Sequence, residues 1–248
     1  MQISVIIIAK NEEDNLRRSL PKLSWCEDII VVDDNSTDNT VAVAELFGAK
    51  VYGRTFDGYG PQKKFGISKA RFDWILNIDA DEVLTDALID ELRKLDLESG
   101  GFSGFEIPVR HVFMGKVFRH GKESRFYHLR LFNRHNGDFN SATVHEKVEV
   151  DGKTGRLSNV ILHYSYKDLD HYFYKFNIYT SVGARNLKAK GKSRSLLLCL
   201  AAFPFYFVKH FFVYGNILNG RPGFIWSYLN AWYHTVKYLK LYELNRKS

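Results

Sequence analysis

Seven consecutive residues near the start of the chain, Ile3-Ser4-Val5-Ile6-Ile7-Ile8-Ala9, run without polar alternation and stop at Lys10-Asn11-Glu12-Glu13. A strand with one wet face alternates polar and apolar residues. One that does not alternate is buried on both faces, the situation of a parallel sheet covered by helices. Asp28-Ile29-Ile30-Val31-Val32-Asp33 repeats the pattern and again ends in acid. Between the two runs Leu16, Leu20 and Leu23 lie at helical spacing, with Asn11 as cap and Pro21 near the end. Further on, Ser36-Thr37-Asp38 opens a helix carrying Val41, Ala44 and Phe47, and residues 48–52 read as a third strand. A helix over about 61–70, a fourth strand over 74–79, and a helix from Thr85 with Leu88, Ile89, Leu92 and Leu95 complete the series. Strands alternating with helices at this pitch predict an α/β fold, a Rossmann-type, mostly parallel sheet flanked by helices with right-handed crossovers.

From Gly100 the pattern changes. Residues 105–112, 125–134, 147–150 and 160–164 read as strands between glycine-rich turns, an antiparallel or mixed extension of the sheet. A helix is expected from 168 to about 190, then a hinge at Gly191-Lys192-Ser193-Arg194 and an apolar, aromatic tail. The division expected is a nucleotide-binding and catalytic domain over 1–165 and a helical region over 166–248.

The 248 residues carry a net charge of +7, which suggests nucleic acid until the charge is located. Residues 183–248 hold 11 Lys/Arg against Glu243 alone, a local +10, so the rest of the chain is net acidic. The same segment holds 14 of the 37 aromatic residues, and a cationic, apolar tail suits an anionic membrane surface. The apolar run Leu196–Val208 is 13 residues, short of the roughly 20 that cross a bilayer. Lys209 and His210 interrupt it, Pro204 kinks it, and Arg185, Lys188, Lys190, Lys192 and Arg194 precede it. Trp226, Tyr228, Trp232, Tyr233, Lys237 and Lys240 give a second helix of interfacial character. The tail is therefore expected to dock peripherally without crossing, the alternatives being packing on the catalytic domain or another subunit, or a spanning helix with Lys209 and His210 snorkelling; self-association is left open. Two cysteines, Cys26 and Cys199, are too few for a zinc site or a staple set, and the first residues read as a strand rather than a signal peptide.

Three acidic clusters end predicted parallel strands: Asn11-Glu12-Glu13, Asp33-Asp34 and Asp79-Ala80-Asp81-Glu82. Ligands of open α/β sheets bind at that edge. Carboxylates one residue apart on a turn suit a hard cation, Mn²⁺ or Mg²⁺, which keeps positions open for phosphate oxygens. The implied ligand is a metal-bound diphosphate. Acidic strand ends also speak against nucleic acid. A nucleotidyltransferase would need a Gly-rich, Arg-bearing loop where Lys10-Asn11-Glu12-Glu13 stands. Seven of nine histidines fall between His111 and His171, but His145-Glu146 has no second histidine four residues on and no cysteine pair is near, which argues against zinc.

The ordered set formed by the first strand and Lys10-Asn11-Glu12, by Val32-Asp33-Asp34-Asn35-Ser36-Thr37-Asp38, by Gln62-Lys63, and by Asn77-Ile78-Asp79-Ala80-Asp81-Glu82 resembles the family 2 inverting glycosyltransferases over about the first 150 residues. Leu129-Arg130-Leu131-Phe132, Val144-His145-Glu146 and Leu218-Asn219-Gly220-Arg221-Pro222-Gly223-Phe224 extend the similarity to the bacterial branch that includes lipopolysaccharide core glucosyltransferases. Lys64 departs from that branch, which usually has Asn there. The resemblance implies a GT-A-like fold, a UDP-sugar donor with glucose favoured, a lipid-linked glycan acceptor, and a place on the cytoplasmic face of a bacterial inner membrane. Polyprenyl-phosphate or capsule acceptors, or a non-catalytic sugar-nucleotide binder, are the alternatives. Ala9, Asn11 and Glu12 would border the base and ribose, Asp34 would accept from the base, and Lys63 would lie over the donor unless it is an exposed helix lysine. Asp79 would approach ribose or metal, Asp81 would ligate the metal, and His145 would bind metal or orient its neighbour. Glu146 is the expected general base, its rival reading being a strand-edge acid paired with Lys147; Glu123 and Asp138 are weaker candidates. Arg130, with Arg125 and Arg134, would suit the leaving phosphate.

Overall fold

The computed structural model describes residues 2–124, 126–139 and 147–246. They form two compact units, one made of residues 1–109 and 126–163 and the other of 110–125 and 164–248.

In the first unit β1 (Ile3–Ala9) lies between β2 (Asp28–Asp33) and β4 (Trp74–Asn77), parallel to both, and β3 (Lys50–Gly53) extends the sheet beyond β2. All six residues of β2 and six of the seven of β1 are buried, as unalternating runs require. Helices α1 (Glu13–Ser19), α2 (Thr40–Leu46), α3 (Tyr59–Ser68) and α4 (Asp86–Arg93) supply the crossovers and covering layers. Between α3 and α4, residues 82–84 form a short strand, β5 (Glu82–Leu84). Gly66 is what lets α3 lie close: a Cβ there would sit 2.6 Å from Ile6 Cγ2 and 3.1 Å from Val32 Cγ2.

The antiparallel extension is also present. β8 (Tyr127–Asn133) pairs with β4 and with β6 (Gly104–Phe113), giving the order β3-β2-β1-β4-β8-β6-β12-β5, where β12 is Ile161–His163. β9 (Gly137–Phe139) and β10 (Val148–Val150) form a separate two-stranded antiparallel sheet, and β11 (Thr154–Arg156) adds to β6 in parallel.

One buried ion group ties the first unit together. The fully buried Asp28 carboxylate accepts from Ser4 Oγ at 2.6 Å, Lys50 Nζ at 2.7 Å and the Arg71 amide at 2.8 Å. Burial alone would raise its pKa, yet Lys50, Ser4 and the Arg71 amide hold it below the ordinary 3.8. A depressed folded pKa stabilises above the unfolded value and loses that contribution as pH falls through the folded one. Asp28→Ala strands a buried hydroxyl and an amide, while Lys50 is half exposed and can rehydrate, so urea denaturation at neutral pH should show a loss of about 2–4 kcal/mol. The gap from the parent should narrow under strongly acid conditions; a gap independent of pH would refute the ion-pair account.

The second unit begins earlier in the chain than a cut at 165 would place it. The end of β6 turns back as a hairpin onto β7 (Lys116–Val117), and Phe113 and Phe118 enter one aromatic core with Tyr172, Trp226 and Leu229. Asn219 fixes the same segment: its Oδ1 accepts from the Arg119 and His120 amides and its Nδ2 donates to the His120 carbonyl at 2.8 Å. Three helices make up the rest, α5 (Leu169–Ala189), α6 (Leu196–Val208) and α7 (Gly220–Arg246).

Two expectations for the tail change. Lys209 and His210 do not break the helix: Lys209–Val213 continue it as a π-helical turn closed by the Tyr214 amide on the Lys209 carbonyl, giving an 18-residue apolar stretch, Leu196–Val213, of mean hydropathy 1.9. The polar pair is tolerated because the His210 ring is buried within the unit while Lys209 lies against the rings of Phe205, Tyr206 and Tyr214. The interfacial set on α7 is also only partly outward. Trp226 is core, and Lys240 donates to the Asn177 carbonyl and side chain and to the Thr180 and Ser181 hydroxyls on α5.

Candidate active site

Because β2, β1 and β4 are parallel neighbours, their carboxyl ends and the three acidic clusters share one edge. The strand order reverses at β1, with β2 and β3 added on one side of it and β4 on the other, and this switch point is where such sheets open a crevice.

On the β1–β2 side the loops latch together. Asn11, in the left-handed region at φ +54°, receives the Thr37 amide on Oδ1 at 2.8 Å and donates its own amide to Ser36 Oγ. Asparagine tolerates that backbone region, which is why it stands there. The Glu12 amide donates to Thr40 Oγ1, Glu12 Oε2 accepts from Asn15 Nδ2, and the Ala9 carbonyl accepts from the Asp34 amide. Asp34 is held by Lys10 Nζ at 2.7 Å and the Phe56 amide at 3.0 Å, and these two contacts keep its carboxyl below the usual range.

On the β4 side lies a chain of charges. Lys63, 4% exposed, reaches from α3 to Asp79 Oδ1 at 3.2 Å with its ammonium 5.5 Å from the Phe139 ring, so it is not an exposed helix lysine. Arg130 on β8 donates to Asp79 Oδ2 at 2.9 Å and to Glu82 Oε1 at 2.5 Å. Glu82, 1% exposed, also accepts the Asp79 amide, closing the Asp79-Ala80-Asp81-Glu82 turn. Burial would raise the Asp79 pKa, but Arg130 and Lys63 outweigh it and hold the carboxylate well below its ordinary value. Burial, aided by the Asp79 charge and opposed by Arg130, raises Glu82.

Asp81 has a different partner. β12 pairs antiparallel with β5, setting His163 opposite Glu82, and this register brings His163 Nε2 within 3.2 Å of Asp81 Oδ2. Burial would lower the His163 pKa; the Asp81 carboxylate, with Glu82 and Asp79 behind it, raises it. Neither His163 nor the structural role of Glu82 was foreseen. The only sequence signal for His163 is its place at the end of a predicted strand, and its partner depends on register.

Two other expected residues have partners of their own. Arg134 is held by Asp73 and the Ala70 carbonyl, which fills its guanidinium with structural partners and removes it from any leaving-phosphate role. Asp138 pairs with Lys64 at 2.7 Å on the surface, and Glu123 belongs to the second unit. Arg125, His145 and Glu146 lie outside the described residues.

The edge suits a polar ligand. Asp33 Oδ1, Gln62 Oε1 and Arg130 Nε are buried without a hydrogen-bond partner among the described residues, and such atoms are normally satisfied. No group of three or more potential metal ligands occurs among the described residues. Asp81 and His163 nonetheless offer an oxygen and a nitrogen donor side by side, which fits an ion that takes one or two protein groups and completes its shell with phosphate oxygens and water.

A twisted parallel half-sheet with antiparallel additions and an acidic carboxyl edge is the GT-A-like arrangement. Residues 4–154 match the model of glycosyl transferase family 2, and the chain belongs to that family. It is 32% identical over 262 residues to an uncharacterized glycosyltransferase of Rickettsia typhi, covering 100% of this chain and 89% of that one. The lipopolysaccharide core biosynthesis glycosyltransferase LpsC of Rhizobium meliloti is 28% identical over 250 residues, covering 98% of this chain and 93% of the relative. Among solved structures, Staphylococcus aureus TarS 1–349 aligns with all of this chain and 92% of its own at TM-score 0.50 and 14% identity, a likeness of fold.

Proposed function

We propose that this glycosyltransferase inverts the anomeric centre, moving a sugar, glucose by preference, from a UDP-type donor to a hydroxyl of a lipid-linked glycan of the lipopolysaccharide core class at the cytoplasmic face of a bacterial inner membrane. The observation that carries the reading is the shared strand edge, where Ala9, Asn11, Glu12 and Asp34 line the β1–β2 side and Asp79 and Asp81 the β4 side. The likeness to LpsC over nearly the whole chain supports the acceptor class.

The base and ribose would lie against Ala9, Asn11, Glu12 and Asp34, with Lys63 and Asp79 at the donor's other end. Lys63 and Arg130, already paired through Asp79, would add positive charge near the diphosphate without being free to follow it. Asp81, with His163 beside it, would hold Mn²⁺ or Mg²⁺, with His145 as a further ligand on the sequence reading; the ion when bound supplies charge neutralisation to the departing diphosphate. Glu146 would take the acceptor proton as the new C–O bond forms at the anomeric carbon and the electron pair of the breaking bond leaves with the nucleotide diphosphate.

Asp81→Asn preserves shape and removes the charge, so it should lose both the stabilisation by Mn²⁺ with UDP-sugar in thermal-shift measurements and about 10²-fold or more of the transfer rate. Undiminished transfer by the variant with a chelator present would defeat the metal reading. A screen of sugar nucleotides in the same assay identifies the donor.

A further inference from the structure

The second unit hides its polar groups and leaves one face of α6 bare. Along Leu196–Val213 the residues turned inward, Cys199, Ala202 and His210, are buried, whereas Leu197, Leu200, Phe205, Val208, Phe212 and Val213 are each at least half exposed. No charged side chain interrupts the outward face between Ser195 and Val208. Lys190, Lys192 and Arg194 lead into it, Lys209 and Arg221 follow, and Glu243 is the only acid of the last 66 residues.

We propose that this face is a one-leaflet anchor: the protein lies on an anionic phospholipid bilayer with α6 parallel to the membrane plane, its outward side chains among the upper acyl chains and the flanking cations at the headgroup phosphates. The charge distribution selects the occupant, because a bare apolar face framed by cations with almost no acid nearby complements an anionic lipid surface. The inward face selects the orientation. By length, about 27 Å for 18 helical residues, the stretch comes close to the roughly 30 Å hydrocarbon layer. But α7 runs antiparallel along it, with Phe211 against Phe224, Phe203 against Trp232, Tyr206 stacked on His234 at 3.5 Å, and Arg194 over Tyr238. Crossing would carry Asn230, His234 and Lys237 of α7 into the hydrocarbon beside it, where such groups are costly. Lying flat exposes only the bare side to lipid.

The inference deepens the membrane-acceptor reading above and rests on it for the choice of a membrane, but its test needs neither donor nor acceptor. The full chain is floated with vesicles of phosphatidylcholine alone or with one quarter phosphatidylglycerol, at low and high salt. Binding should require the anionic lipid and weaken with salt. The combined exposed changes Leu197→Ser, Phe205→Ser and Phe212→Ser should cut it more than tenfold, while Tyr174→Ser with Ile178→Ser on the exposed side of α5 should leave it unchanged. A tryptophan placed by Leu197→Trp should be quenched by lipids brominated near the headgroup more than by lipids brominated at the chain ends; the reverse order, with resistance to carbonate extraction, would overturn the flat orientation. Failure of the parent to bind either vesicle, or a parent dimer that the serine changes convert to monomer without any vesicle binding, would overturn the proposal and assign the face to a second copy. UDP binding by calorimetry without vesicles is read separately: its absence beside intact vesicle binding defeats the donor reading and leaves the anchor standing.

Discussion

Arg130→Ala should melt about 10 °C below the parent at neutral pH. The guanidinium is the ion-pair partner of Glu82, which is 1% exposed, and it also holds Asp79, so its removal leaves a buried carboxylate without its hydrogen-bonded cation. Breaking a buried pair from one side costs about 3–5 kcal/mol, and a unit of this size loses roughly 2–4 °C per kcal/mol. The penalty should shrink on acidification. With Arg130 gone, burial and the Asp79 charge raise the Glu82 pKa further above its ordinary 4.5, so the folded state binds a proton that the unfolded state does not. The penalty is then full above the folded pKa and is relieved as pH falls through it. Arg130→Lys, which keeps one charge but not the planar fork, should fall between the two. A melting point within two degrees of the parent, or a deficit that grows with acid, would show that Glu82 is not held this way. Transfer activity should fall with stability, because the same guanidinium fixes the Asp79 carboxylate at the proposed donor edge.

With Glu146 as the proposed general base, Glu146→Gln should abolish transfer while sparing the donor site. Loss of a general base typically costs about 10²- to 10⁴-fold, and the base acts on the acceptor hydroxyl, so UDP affinity should stay within a few fold of the parent. Single-turnover transfer and calorimetric UDP binding on the same preparation separate the two effects. If UDP binding vanishes together with activity, Glu146 is a structural or metal-binding residue. If transfer persists, the base lies elsewhere, and Asp138, paired with Lys64 on the surface, is a poor replacement.

Hydrophobic periodicity made the parallel half of the first unit legible, because burial on both faces removes the polar–apolar alternation from β1 and β2. The acids at Asp34, Asp79 and Asp81 were legible for a related reason: they follow directly on those strands, and parallel neighbours end at one edge. Local sequence was less informative wherever a side chain's meaning depends on its partner. Lys63 reads equally as an exposed lysine until α3 is seated on β1 through Gly66, and Arg134 reads as a phosphate ligand until Asp73 is seen beneath it. His163 lies 82 residues from Asp81, and only the β5–β12 register brings them together.

The tail divides in the same way. Composition alone determined that residues 183–248 are cationic and aromatic. Only the packing decided which of those groups face outward: Trp226 and Lys240 are spent inside the unit, His210 is turned into it, and the π-helical turn carries the apolar stretch past Lys209. The sequence by itself determined the kind of sheet, its acidic edge and the chemical character of the tail, because burial and strand period are local properties of consecutive residues. The tertiary structure alone decided which charges are paired, which histidine meets Asp81 and which side of α6 is bare, because each of these is a contact between residues distant in the chain, and no local pattern encodes a register.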